Sequence, residues 1–393
     1  MTELKCPGFK AAGINCGIKK NNELDLGLIL SESSCNAAAV FTKNKVAAAP
    51  VILSKKNIES GKCRAVIVNS GNANCATGEN GLSNSVKTVE KISEIFNLPV
   101  SEIQIASTGV IGVELPVKKI TDNISSLKSN LKDDFTDFNK AIMTTDKFMK
   151  NISLSDKIDN KEVHLLAIAK GAGMIRPDMA TMLCYVVTDA EIDSLTIKEM
   201  LRSCVNSSFN KISVDGDTST NDTVLMMAGG KSGVKINSQE KIKKFKSLLE
   251  KALVFLSKEI VRDGEGSTKV VTIKAVNAKT KKDASKIVNV IAHSMLVKTA
   301  LFGEDPNWGR IIAAAGRSGA DFDPYETDIF FDNICLMKKG STSGSQAEEK
   351  VHEIMTKDHY EIIVDLNLGK FSDYIITSDL SYEYIKINAD YRT

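Results

Sequence analysis

Apolar, β-rich runs that alternate with amphipathic helical segments predict an α+β or layered α/β fold, with a smaller α/β domain at its C-terminal end. The 393 residues are enough for two or more domain-sized cores. Between Asn277 and Ala284 the chain turns polar and lysine-rich (NAKTKKDA), which predicts a boundary between compact units there. The expected units are therefore 1–276 and 277–393. The alternation leaves strand order open.

Taken in order, Arg64–Ser70 (RAVIVNS) reads as a buried strand ending at a Ser-Gly-Asn turn. Val86, Val89, Ile92 and Ile95 recur at helical spacing, with Pro99 beyond the helix end. Val163–Ala169 (VHLLAIA) is a strand leading into a glycine turn, and Leu183–Val187 (LCYVV) is the next strand. Thr196 and Glu199 have capping-box spacing and open a helix carrying Ile197, Leu201 and Cys204. From Ser238 to Ile260 a longer helix places Ile242, Phe245, Leu249, Leu253, Leu256 and Ile260 on one stripe. Val270–Val276 (VVTIKAV) is a strand closing the first unit. Beyond the boundary, Ile287, Val288, Ile291 and Met295 mark a helix, and Glu361–Leu366 (EIIVDL) a strand.

Lys+Arg of 51 against Asp+Glu of 49 leaves a formal net charge of +2, so no overall field favours nucleic acid or a membrane surface. Lys241, Lys243, Lys244 and Lys246 read as the solvated face of the long helix. No apolar run approaches the roughly 20 residues needed to span a bilayer, and MTELKCPGFK has neither signal-peptide nor transit-peptide character. The eight cysteines form no CxxC pair and no zinc-like spacing with histidine. They read as buried thiols in a reducing, cytoplasmic setting.

The segment KGAGMIRPDMATMLCYVVTDA (Lys170–Ala190) carries the chemistry. A glycine turn and Pro177 precede Thr181, which stands directly before an apolar strand-like run. In the plain reading Thr181 merely starts that strand, since β-branched residues favour strands. In the chemical reading its hydroxyl attacks the Ala180–Thr181 peptide bond, with the preceding turn holding that bond strained. Scission gives Thr181 a free α-amino group beside its own Oγ, a nucleophile and base in one residue. An α-amino group titrates near 7.7–8.0, so a useful fraction is neutral at physiological pH.

The MATML run resembles the self-cleavage site of the ornithine acetyltransferase (glutamate N-acetyltransferase) family. NSGNANCATG (Asn69–Gly78), STGVIG (Ser107–Gly112), MTTDKF (Met143–Phe148), SVDGDTSTND (Ser213–Asp222), RDGEGSTK (Arg262–Lys269), FGEDPNWGR (Phe302–Arg310) and the ending INADYRT match the same family in one order along nearly the whole chain. Arg176 and Asp178 depart from the family's usual run, where small or amide residues stand before MATML.

The resemblance implies a layered α/β sandwich, of the type that this family shares with aminopeptidase-like proteins. It implies fragments 1–180 and 181–393 paired into a heterotetramer, the main domain being built from 1–180 and 181–276. It implies acetyl transfer from N-acetylornithine to glutamate through acetyl-Thr181, with Thr108 and Gly109 as the oxyanion hole. Substrate contacts are implied at Thr144 or Thr145, Lys170, Thr181, Glu265, Asn388 and Thr393. Of the two adjacent threonines Thr145 is favoured. No cofactor is implied, and no residue bears on whether acetyl-CoA also serves as donor.

Other motifs weigh less. Asp215, Asp217 and Asp222 have the spacing of a calcium loop, but its twelfth position falls at Met226, so a hydrogen-bonded turn is expected and no metal. His164, His293, His352 and His359 fall in no catalytic pattern, and His164 and His293 read as structural, in a strand and a helix. Trp308 reads as packing, and Arg310 nearby as a candidate anion contact. Two rivals to acetyl transfer are an N-terminal-nucleophile amidohydrolase, which needs no acceptor, and a binding protein, which stays uncut.

Overall fold

The computed structural model describes residues 4–176 and 182–390. They form two compact units: one from the chain up to Asn210 together with Asp217–Ile260, the other from Lys211–Gly216 and the chain from Val261 onward.

In the first unit, strands β1 (Phe9–Ile14), β2 (Leu26–Phe41), β3 (Lys62–Asn72), β4 (Ile103–Val110), β5 (Lys150–Ile158), β6 (Lys161–Lys170) and β7 (Leu183–Thr188) join β9 (Thr223–Ala228) in one sheet. Strand β8 (Ile212–Ser213) lies between them in sequence and belongs to the second unit. The order is β4-β3-β2-β9-β7-β6-β5, with β1 also paired to β2.

The long strand β2 serves both halves of this sheet. Its first part pairs with β1 and β3, its last part with β9, and its register against β3 breaks between Leu30 and Cys35. One core gathers Ile29, Val66, Val68 and Ala106 from the first half and Leu166, Ile168, Tyr185, Val187, Leu225 and Met227 from the second. The halves therefore pack face to face. Phe138 is buried in the same core, edge-on to Tyr185 with ring centroids 5.5 Å apart.

Alternate residues of the first half, among them Leu28, Ile67, Ile103 and Ile105, face outward onto Val89 and Ile92 of the helix Gly78–Phe96. On the second half Cys184, Val186, Val224 and Met226 are equally buried, and the helix Ser194–Asn206 packs against β2. The layers run helix, sheet, sheet, helix. Strands covered on both faces carry continuous apolar runs, which is why LLAIA and LCYVV show no alternation.

The second unit is a seven-stranded sheet. Its further strands are β10 (Val270–Ala278), β11 (Asp328–Phe331), β12 (Ile334–Lys338), β13 (Ser341–Thr342), β14 (His359–Asp365) and β15 (Phe371–Ser378), in the order β13-β12-β11-β14-β10-β15-β8. Val271, Ile273, Ile362 and Val364 meet Ile287, Val288 and Ile291 of the helix Lys281–Ala292 in its core.

Several elements differ from the sequence reading, each for a local reason. Strand β10 is central in the second sheet, so the division falls at Ile260/Val261 instead of Asn277. The polar run after it is the start of the helix Lys281–Ala292, capped by Thr280, whose hydroxyl accepts the Asp283 amide. That helix stops at Ala292, and Ser294 caps a new one, Met295–Phe302, on which Met295 is exposed. The helix expected to begin at Thr196 starts at Ser194: Asp193 is its cap and accepts the Thr196 amide at 2.9 Å. Aspartate is among the preferred cap residues, so Thr196 lies inside the first turn. Strand β3 runs on to Asn72, with Gly71 at φ +92° where its pairing with β4 shifts. Arg310 donates from Nη1 to the Leu296 carbonyl at 2.8 Å.

Replacing Asp193 with Ala removes this cap and should lower unfolding stability by about 1 kcal/mol. Chemical denaturation of the purified variant measures it.

Candidate active site

The strand ends of the first unit bring Thr108, Thr144 and Lys170 together. Lys170 closes β6 and pairs with Leu183, the first residue of β7, so the connection carrying the MAT sequence leaves and re-enters the sheet at one place. Pro177, Asp178, Ala180 and Thr181 lie in that connection, outside the described residues.

The Lys170 ammonium is buried and donates to Thr144 Oγ1 at 2.7 Å and Thr108 Oγ1 at 3.2 Å. Each hydroxyl accepts from the cation, which leaves its own O–H to donate elsewhere. That is the polarity an oxyanion donor needs. It is Thr144, the other member of the pair from the one favoured above, that meets Lys170.

Gly109 follows Thr108 at φ +131°, and a Cβ there would lie 2.4 Å from the Gly71 carbonyl carbon. Backbone contact between β3 and β4 thus demands glycine at this position. The asparagines of the NSGNAN run fasten these strand ends. Ser107 donates to Asn69 Oδ1, and Asn69 in turn donates to the Asn72 carbonyl at 2.8 Å. Asn221 donates from one amide nitrogen to the carbonyls of Ala73 and Ser107, at 2.7 and 2.8 Å.

Beneath Lys170 sits Asp146, fully buried with Lys150. Asp146 accepts from Lys150 Nζ at 2.6 Å, from the Gly171 amide at 2.7 Å and from the Thr144 amide at 2.9 Å, with Lys170 Nζ at 3.8 Å. Burial alone would raise its pKa, but the charges of Lys170 and Lys150 and these hydrogen bonds hold the carboxyl well below the usual carboxylate range.

Glu265 and Asn388 belong to the second unit. Asn388 Nδ2 donates to the buried Glu265 Oε2 at 2.9 Å, so these two expected contacts meet. Asn388 stands on the helix Tyr382–Asp390, which Ser381 ties to the Gly266 carbonyl at 2.6 Å. Thr393 lies outside the described residues.

Residues 10–393 match the ArgJ family. The chain belongs to that family. It is 45% identical to an arginine biosynthesis bifunctional protein ArgJ of Geobacter sulfurreducens, over 98% of this chain and 99% of that one. It is 44% identical to a glutamate N-acetyltransferase of Methanocaldococcus jannaschii, over 98% and 97%. A crystal structure of the Bacillus halodurans ArgJ protein aligns at 38% identity and a TM-score of 0.50, covering 53% of this chain and 98% of that one. This ArgJ-family chain is an acyltransferase of arginine biosynthesis. No helix among the described residues is long and apolar enough to cross a membrane.

Asp146, Lys150, Asn221 and Asp222 were given no part in the site by the sequence reading. Asp146 stands inside the MTTDKF string, so its signal was present in the motif, overshadowed by the two threonines. Asp222 was weighed only as a metal ligand.

Replacing Asp146 with Asn removes the charge that Lys150 and Lys170 share and should cost about 3–5 kcal/mol of stability at pH 7. The folded-state pKa lies below the unfolded value of about 3.9, so this contribution is present above that pH and fades as pH falls toward the folded value. Urea unfolding should therefore show the gap between variant and wild type narrowing as the solution is acidified below about pH 4.

Proposed function

We propose that this enzyme moves acetyl from N-acetylornithine to glutamate through an ester on Thr181, after the Ala180–Thr181 bond has been cut by the Thr181 hydroxyl. The observation that supports the reading is that Lys170 and Leu183, which flank the connection bearing this bond, are strand partners, and that Lys170 donates to the Thr108 hydroxyl.

In the first event Thr181 Oγ adds to the Ala180 carbonyl, the acyl group passes from nitrogen to oxygen, and water hydrolyses the ester. The released amine then takes the Oγ proton as Thr181 attacks the acetyl carbonyl of N-acetylornithine, and hands it to the departing ornithine amine. Thr108 O–H and the Gly109 amide receive the developing oxyanion. Glutamate enters next and attacks the acetyl ester, which makes the kinetics ping-pong. Lys170, Thr144, Glu265, Asn388 and Thr393 supply the substrate contacts. Fragments 1–180 and 181–393 stay associated as a heterotetramer, and acetyl-CoA is a second donor to be assayed in the absence of N-acetylornithine.

A denaturing gel of wild-type protein should show two fragments, while the Thr181→Ala chain stays whole and inactive; two fragments from that variant would end the proposal. Acetate release without glutamate at the full rate would instead mark an amidohydrolase. The Thr108→Ala variant should lose about 10²–10³ in kcat with KM little changed, as measured by initial rates.

A further inference from the structure

Met182, the first described residue after the scissile segment, is held twice. Its carbonyl accepts the Thr223 amide at 3.1 Å, and its own amide donates to Asp222 Oδ1 at 2.9 Å. Asp222 is 1% exposed, at the foot of β9. Its second oxygen, Oδ2, is buried with no hydrogen-bond partner among the described residues.

Covalent geometry fixes what lies nearby. Three bonds separate the Met182 nitrogen from the α-nitrogen of residue 181, so the two are within about 3.7 Å of each other in any conformation. Asp222 is thus anchored next to the one nitrogen whose chemistry changes on scission. In the intact chain that nitrogen is a neutral amide. After scission it is an amine that becomes cationic each time it takes the Oγ proton.

Burial, the larger effect, raises the Asp222 pKa well above its usual value, against the Met182 amide, the nearby Ser219 hydroxyl and the charge of Lys170. The Ser219 hydroxyl lowers it only in part, and Oδ2 has no hydrogen-bond partner among the described residues. Lys170, the cation that reaches it from the end of β6, is itself shared with Asp146. A deeply buried acid of this kind ionises when a cation is supplied beside it.

We propose that Asp222 is a positioning residue for the catalytic amine: Oδ1 fixes the residue that follows the nucleophile, and Oδ2 accepts an N–H of the α-amino group released at residue 181. The inference rests on the scission reading above. It completes the arrangement in which a nucleophile is served by a base and the base is oriented by a third group. Asp222 transfers no proton. It orients the amine so that its lone pair faces Oγ, and it stabilises the ammonium between the attack on acetyl and the departure of ornithine.

The test uses the full-length chain as wild type, Asp222→Asn and Asp222→Ala. Asparagine keeps an acceptor for the Met182 amide and puts an NH₂ where Oδ2 stood, with no lone pair for the amine. The Asp222→Asn variant should melt near wild type and cut more slowly. Once cut, its kcat should be lower by about 10²-fold or more with KM within about two-fold, in keeping with the loss of a residue that orients a catalytic base. The acidic limb of its kcat/KM profile should move to lower pH, because the amine has lost its counter-charge. The Asp222→Ala variant, which also loses the Met182 anchor, should cut more slowly still.

An Asp222→Asn variant that cuts and turns over like wild type, with an unshifted pH limb, overturns the inference. Should that variant fail to fold, difference infrared spectroscopy of cut wild type against uncut Thr181→Ala protein takes its place. A buried carboxylic-acid band should vanish on cutting, and its persistence overturns the inference as well. Wild-type protein that never cuts would bring down the scission reading first, and this inference with it.

Discussion

Two ammonium groups, those of Lys150 and Lys170, share the Asp146 carboxylate inside the first unit, where water does not compensate them. Desolvating charges is costly, and geometry must be strict for mutual attraction to offset that cost. Asp146 meets the demand by also accepting two backbone amides, those of Thr144 and Gly171. This one carboxylate thereby ties the loop before β5 to the residue just after β6. Lys170 is then held where its remaining donors reach Thr108 and Thr144, and the placement of both hydroxyls follows from it.

The second constraint is the folding of the sheet upon itself along β2. Because β2 pairs with β3 on one side of its register break and with β9 beyond it, the ends of β4 and β9 converge although the two strands are not neighbours. Asn221 closes that convergence with one amide group bonded to Ala73 and Ser107, and Gly109 permits the close passage of β3 and β4. A site assembled from strand ends on rigid, doubly covered layers is pre-organised for charge development, which is the main resource of acyl-transfer catalysis. Lys170, Thr108, Thr144, Asn221 and Asp146 belong to hydrogen-bonded groups in which removing one member disturbs its neighbours.

Much of this was legible in residue order. The strands around Val66, Leu166 and Tyr185 read correctly because burial on both faces leaves unbroken apolar runs. The long helix Gln239–Arg262 read correctly because a one-sided stripe has a strong period. Element ends were less legible. Asp193 outcompeted Thr196 as a cap, and a lysine-rich helix start resembled a linker, since composition reports solvent exposure and says little about pairing. The motif strings named Thr108, Lys170 and Thr144, which lie together in the structure, while nothing in residue order singled out Asp146 and Asp222 as buried partners. An aspartate in a turn and a buried aspartate look alike in sequence, because burial is created by neighbours far along the chain.

By itself the sequence determined the alternation of layers, the threonine before an apolar strand and the family to which the chain belongs, all of which depend on local order and residue identity. The tertiary structure alone decided that β10 serves the second sheet, that Thr144 is the partner of Lys170, and that Asp222 grips Met182. Those outcomes join residues 26 to 108 positions apart, or depend on which strands lie side by side. Hydrogen bonds and ion pairs of that range form only once burial has removed water as the competing partner.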